Sequence, residues 1–275
     1  MASPTTEEEA ELESSKAPLL EHLIELRNRI VRSVIAFLVC FIFCFAFSRP
    51  IFVFLTQPIS DALVGQPNRQ MIFTALYEQF FTYVRIGMFG ALCLAFPYMA
   101  LQLWLFIAPG LYKHERRAFW PFLLATPVMF VLGAAFVYYL MLPRVIRFFV
   151  SEEIPASPGR IAIQLAPRVG EYLSFVMTLI FAFGLCFELP VLLVLLGRVG
   201  IVSSKALAGA RRYAVVGIVA LAAVVTPPDV FSQLSLAIPM VGLYEVSIIC
   251  VKLIERQRAK AEAAAEAAGR DIQPT

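Results

Sequence analysis

Charge is scarce in this 275-residue chain. Only 16 % of its residues are Asp, Glu, Lys or Arg, while 60 % are apolar; an ordinary globular domain is about a quarter charged. A soluble fold of this length needs a polar surface, and the chain has too little polar sequence to build one. Histidine is scarcer still. Only His22 and His114 are present, and the H-E-x-x-H pattern that His114-Glu115 would begin has Ala118 where its second histidine belongs. Zinc proteolysis is thereby excluded. Neither histidine lies in an apolar run, so an intramembrane Ser–His pair is excluded too. No Walker A pattern is present, hence no sign of ATP hydrolysis. The five cysteines, Cys40, Cys44, Cys93, Cys186 and Cys250, all fall in apolar runs without zinc-ligand spacing. They read as small buried apolar residues, neither metal ligands nor disulfide partners. The net charge of +3 is too small to point to nucleic acid. No metal or cofactor is expected, and the chain is not read as an enzyme.

What the chain has instead is long apolar runs separated by short charged islands. Crossing about 30 Å of hydrocarbon takes roughly 17–25 such residues as a helix. Six spans are expected, at 30–47, 84–107, 119–142, 172–196, 213–225 and 234–251. The fold class is therefore all-α, a polytopic membrane protein. The last two spans are short, and a helix of about 13 residues rises only about 20 Å. Such a helix thins the bilayer or sits shielded beside longer neighbours, giving a concave face. Residues 1–18, with Glu7, Glu8, Glu9, Glu11 and Glu13, read as a disordered acidic tail without the basic start of a cleavable signal. Residues 19–254 form the membrane domain. Residues 255–275 form a charged, Ala-rich cytoplasmic tail.

Lys and Arg set the orientation. Sixteen fall in the N-terminal flank, the 109–118 and 198–212 loops and the C-terminal segment, and six in the alternate loops. Both termini are therefore expected in the cytoplasm. The four arginines of the 143–170 loop, Arg144, Arg147, Arg160 and Arg168, weaken this count without reversing it.

Few residues are left to carry chemistry. Leu19, Leu23, Leu26 and Ile30 repeat at helical spacing ahead of the first span, as an amphipathic lead-in at the interface. Glu21, Glu25 and Arg29 share one face of it, and the plain reading is a Glu25–Arg29 pair one turn apart. The Pro109–Arg117 connector carries three cations that the positive-inside rule explains, but that rule does not explain Glu115, Tyr98, Gln102 or Trp104. Glu188 lies eight residues from the end of the fourth run, about 12 Å below the cytoplasmic face. An ionised acid at that depth costs roughly 2.5–3.5 kcal/mol on insertion scales. It faces a recess, carries a proton, or hydrogen-bonds a neighbouring helix. Glu245 is a second acid in a span, within reach of Lys252 if both snorkel. Pro227 and Pro228 make a rigid turn, and Asp229 after them suits the N-cap of the last helix.

Five stretches in order resemble the TatC family of the twin-arginine protein translocase. They are His22-Leu23-Ile24-Glu25-Leu26-Arg27, then Tyr98…Gln102…Trp104…Phe106…Pro109-Gly110-Leu111-Tyr112-Lys113-His114-Glu115-Arg116, Tyr172-Leu173-Ser174-Phe175, Phe183-Gly184…Phe187-Glu188-Leu189-Pro190, and Thr226-Pro227-Pro228-Asp229-Val230-Phe231-Ser232-Gln233. The resemblance covers about residues 19–253. It implies a receptor for twin-arginine signal peptides of folded proteins in the bacterial inner membrane. Its partners would be single-span subunits of TatA/TatB type in a hetero-oligomer, and its export would be driven by the proton gradient. It implies that Glu25 and Glu115, with Arg27, Tyr112 and Arg116, bind the signal peptide. It further implies that Glu188, and with it Glu245, serves intramembrane polar contacts to partners, and that Pro227, Pro228 and Asp229 form a functional outer loop. The alternative is a proton-coupled transporter of a small solute with Glu188 as relay, but no paired repeat is visible to support it.

Overall fold

A computed structural model describes residues 6–63, 70–111, 116–153, 166–226 and 229–270. Ten α-helices and one π-helical turn make up nearly all of these: α1 Thr6–Ala46, α2 Ser48–Leu63, α3 Glu78–Leu111, α4 Arg116–Ala135, the π-turn Phe136–Met141, α5 Leu142–Ser151, α6 Val169–Cys186, α7 Glu188–Val199, α8 Ser204–Gly209, α9 Arg211–Val225 and α10 Val230–Arg270. The only β pairing among the described residues is a single bridge between Ile72 and Arg168. Five helical stretches are long and apolar enough to cross a membrane: His22–Ala46, Glu78–Phe106, Pro121–Ser151, Val169–Val199 and Val230–Lys260. The expected fifth span falls in α9, whose 15 residues rise about 22 Å.

The helices depart from the expectations at several points, and α1 begins at Thr6. The region between the first two spans had no element assigned, yet α2 occupies it despite Pro58. Leu55, Pro58 and Ile59 of α2 are buried, which supplies the packing that its sequence alone does not advertise. The third span does not end at Leu142. Pro143, which cannot donate to the carbonyl one turn back, follows a π-turn rather than ending the helix. Arg144 and Arg147 therefore lie on α5 and not in a loop. The fourth span holds over Val169–Val199, with a one-residue interruption at Phe187 between α6 and α7. Pro190, in the first turn of α7, has no N–H to carry the ladder back into α6.

The chain divides into two compact units. In the first, residues 1–49 and 83–123, α1 and α3 run antiparallel and close together. Arg29 donates to Gln102 at one end (3.3 Å). Near the other, a β-carbon on Gly87 would lie 3.1 Å from the Cα of Phe45. In the second unit, residues 50–82 and 124–275, α6 carries the deepest side chains, with Val176, Leu179 and Phe183 fully buried. Two tyrosines tie α2 to this core. Tyr172 donates its hydroxyl to the Leu55 carbonyl (3.1 Å) and Tyr138 to that of Phe54 (2.7 Å). Gly200, at φ +83°, closes α7 in the left-handed conformation that favours glycine. On α7, Gly197 admits Val251 of α10, whose Cγ1 would be 2.7 Å from an added β-carbon.

Candidate functional site

The polar face of α1 is built as its spacing predicts. Glu25 and Arg29, one turn apart, form an ion pair, with Arg29 Nε donating to Glu25 Oε1 at 3.0 Å and Nη2 donating to the same oxygen. Arg29 Nη1 reaches Gln102 of α3, which is buried. The guanidinium is thus shared between a carboxylate on its own helix and an amide oxygen on another. The second carboxylate oxygen of Glu25, Oε2, has His22 Nδ1 at 3.8 Å. The His22 ring lies flat on Phe106, centroids 4.2 Å apart and planes 13° apart. Ile24, Glu25, Asn28, Arg29 and Arg32 line an open cleft of about 350 Å³. Arg27 is exposed and, among the described residues, donates to its neighbour Asn28 (3.3 Å). Tyr112 and Glu115 lie outside the described residues, and Arg116 is described only as the first residue of α4.

Glu188 occupies the first position of α7, directly after the break at Phe187. Its side chain hydrogen-bonds Thr126 of α4. The other oxygen, Oε1, is closed off from solvent without a hydrogen-bond partner. Two glycines let α4 come near enough for this contact. A β-carbon on Gly133 would lie 2.6 Å from the Phe183 carbonyl oxygen, and one on Gly184 would lie 2.5 Å from Cε2 of Phe130. A carboxylate with one bonded and one vacant oxygen, at a helix start inside an apolar span, suits a polar donor from another helix.

Two other acids are settled differently. Glu245 pairs with Arg211 of α9 and not with Lys252. The contact is two-pronged, Nε–Oε1 at 2.7 Å and Nη2–Oε2 at 2.8 Å, a geometry that the planar guanidinium matches and a lysine cannot. Asp229 caps α10 as expected, its Oδ1 accepting from the Ser232 N–H (2.7 Å). Its Oδ2 and the Ser232 hydroxyl are buried without partners. Pro227 and Pro228 lie outside the described residues. Among the described residues no cluster of His, Cys, Asp and Glu is arranged to hold a metal, and the cysteines are free.

Residues 21–239 match the family model of the Sec-independent protein translocase protein TatC. The chain belongs to the TatC family. A TatC of Magnetococcus marinus is 48 % identical over 252 residues, covering 92 % of this chain and 90 % of its own length. The TatC of Escherichia coli K12 is 39 % identical over 231 residues, covering 84 % and 86 %. A crystal structure described as the twin-arginine translocase receptor TatC superposes with a TM-score of 0.74 at 36 % identity, covering 85 % of this chain and 99 % of that one. As a TatC-family protein, the chain is a core translocase subunit and a polytopic all-α protein of the bacterial inner membrane. The reading as a transporter of small solutes falls away.

Sequence reasoning missed three partners: Gln102 as the acceptor for Arg29, Thr126 beside Glu188, and Arg211 opposite Glu245. None has a local signature. Thr126 is one hydroxyl in an apolar run, and Arg211 is one cation among several in a basic loop.

Proposed function

We propose that this TatC-family protein receives twin-arginine signal peptides of folded proteins at the cleft beside Glu25. With single-span partner subunits, it supports their export under the membrane proton gradient. The observation that carries this reading is the state of the Glu25 carboxylate. One oxygen already holds a guanidinium, Arg29, and the other faces His22 at 3.8 Å beside an open cleft. Arginine is always charged and presents a planar fork to a carboxylate. An incoming arginine takes the Oε2 side, and Gln102 holds Arg29 while it does so. Glu115, with Tyr112 and Arg116, supplies the second docking position. The stacked His22 and Phe106 offer an apolar wall for the rest of the peptide.

Orientation follows the charge count: both termini and the Glu25 cleft are cytoplasmic, and α9 makes the fifth of six crossings. Glu188, with its buried vacant oxygen, serves the partner helices. Glu245 and the Pro227–Asp229 turn support that assembly. The deciding experiment measures binding of a twin-arginine signal peptide and its Lys-Lys counterpart to the purified protein in detergent. Tight binding of the first and much weaker binding of the second supports the reading, and equal binding of both overturns it.

A further inference from the structure

The segment just before α3 is out of character for a polar loop. Phe73, Tyr77, Phe80 and Phe81 are all exposed, and Leu76 is 103 % exposed. Tyr77 and Phe80 both pack edge-on against Phe81, at 6.0 and 5.6 Å. No Lys or Arg lies between Arg69 and Arg85, and Glu78 is the only charge among residues 70–84. That charge is fully occupied. Glu78 Oε2 accepts from the Thr74 N–H (2.6 Å), the Thr74 hydroxyl (3.1 Å) and the Ala75 N–H (3.2 Å), and Oε1 accepts from the Gly170 N–H (3.4 Å). Ile72 exchanges backbone bonds with the 167–169 segment, its N–H donating to the Pro167 carbonyl and its carbonyl accepting from the Val169 N–H. The backbone donors at 72, 74 and 75, which water would otherwise serve, are therefore satisfied internally.

The depth of this segment can be read along the helices. Arg29 meets Gln102 and Phe45 meets Gly87, so α1 and α3 run in register over that length. Arg49, one turn past Phe45, is the first charge after the apolar run of α1, and its level on α3 is one turn before Gly87, at Tyr83. Along α3, Phe81 and Phe80 stand roughly 3–5 Å beyond Tyr83 at 1.5 Å per residue, and Tyr77 and Leu76 lie in the turn directly before the helix. The polar zone of each leaflet is about 5–8 Å thick. Arg85, half a turn on the other side, is long enough to snorkel to the same boundary. Aromatic side chains concentrate at this depth, and backbone entering it must have its polar groups met.

We propose that residues 72–81 form an interfacial anchor in the lipid headgroup zone at the start of the Glu78–Phe106 span, held in its inserting shape by the four donors that close on Glu78. The inference rests on the membrane-spanning fold and not on signal-peptide binding, so the two fail separately. Glu78 is a positioning residue here, and Leu76 and Tyr77 form the inserting tip.

The test is tryptophan fluorescence in proteoliposomes of phosphatidylglycerol and phosphatidylcholine, with bromines near the carbonyl end of one acyl chain. Leu76→Trp is read on a Trp104→Phe/Trp120→Phe background. The same substitution in the otherwise native chain, corrected for its two tryptophans, serves if that background folds poorly. The expected result is blue-shifted emission, strongly lost to brominated lipid and little affected by aqueous iodide. Loss to iodide but not to brominated lipid places the segment in water and overturns the proposal. Protection from both quenchers means a protein, such as a second copy of this chain, covers it, and overturns it as well. Adding Glu78→Ala is expected to shift the emission to the red and remove the lipid quenching, while Glu78→Gln retains part of both. Unchanged lipid quenching in Glu78→Ala would refute the holding role of the carboxylate.

Discussion

A β-carbon on Gly133 of α4 would stand 2.6 Å from the carbonyl oxygen of Phe183 on α6. Backbone, not a flexible side chain, fills that space, so the two helices must part for any larger residue. Gly133→Ala is expected to lower stability by about 1–3 kcal/mol, the usual cost of overpacking. Because Thr126 lies two turns earlier on the same helix, the variant should also loosen the Thr126–Glu188 contact. Thermal unfolding in detergent reads the first effect and export the second. Wild-type stability would show that α4 gives way freely at this point.

Glu25→Ala and Glu115→Ala are each expected to weaken twin-arginine peptide binding while the protein remains folded. Removing one charge-assisted contact costs about 1.5–3 kcal/mol, roughly 10- to 150-fold in Kd. Gln102→Ala should act less strongly, since it touches the peptide only through Arg29. Titration calorimetry with the purified variants measures all three. A double variant that binds as tightly as the native protein removes the cleft from consideration.

Glu188→Ala and Glu188→Gln are expected to impair export more than docking. The proposed docking face is on α1, whereas Glu188 starts α7 within an apolar span. Thr126→Val should shift export in the same direction by a smaller amount, since it removes one hydrogen bond and leaves the carboxylate in place. Peptide binding and cargo export are measured side by side. Native export in both Glu188 variants would reduce that acid to a structural hydrogen bond with Thr126.

Asp229→Ala should cost about 1 kcal/mol through the lost cap on α10, and Asp229→Asn much less, because asparagine caps a helix equally well. If export falls equally in both while stability follows the cap, then the charge of Asp229 matters to function beyond its hydrogen bond to Ser232.

Glu245→Gln is expected to change stability by less than about 1 kcal/mol. Its pair with Arg211 is well formed but about half exposed on both sides, and exposed pairs contribute little. A loss of several kcal/mol on unfolding would mean that bilayer or partner shields this pair.

Much of this protein was legible one residue at a time. Apolar runs near the length of a bilayer crossing fixed its class, because lipid leaves a backbone few alternatives to the helix. The spacing of Glu25 and Arg29 foretold their pair, and Asp229 after two prolines foretold a cap, because both interactions close within one turn of helix. The breaks were less legible. Pro143 follows a π-turn and Pro190 a new helix start, since what a proline does to a helix depends on whether neighbouring elements meet the carbonyl it leaves free. Partners were not legible at all. Gln102 lies 73 residues from Arg29, Arg211 lies 34 from Glu245, and Gly170 lies 92 from Glu78. Such contacts are made by side chains brought together only when helices pack, and packing is set by the fit of surfaces, such as Gly133 against Phe183, rather than by the periodicity of either helix. That the chain spans a membrane, and which acids are exceptional there, could be read from the order of its residues. What each acid holds followed from helix packing alone, because a carboxylate's partner is a matter of distance in space and not along the chain.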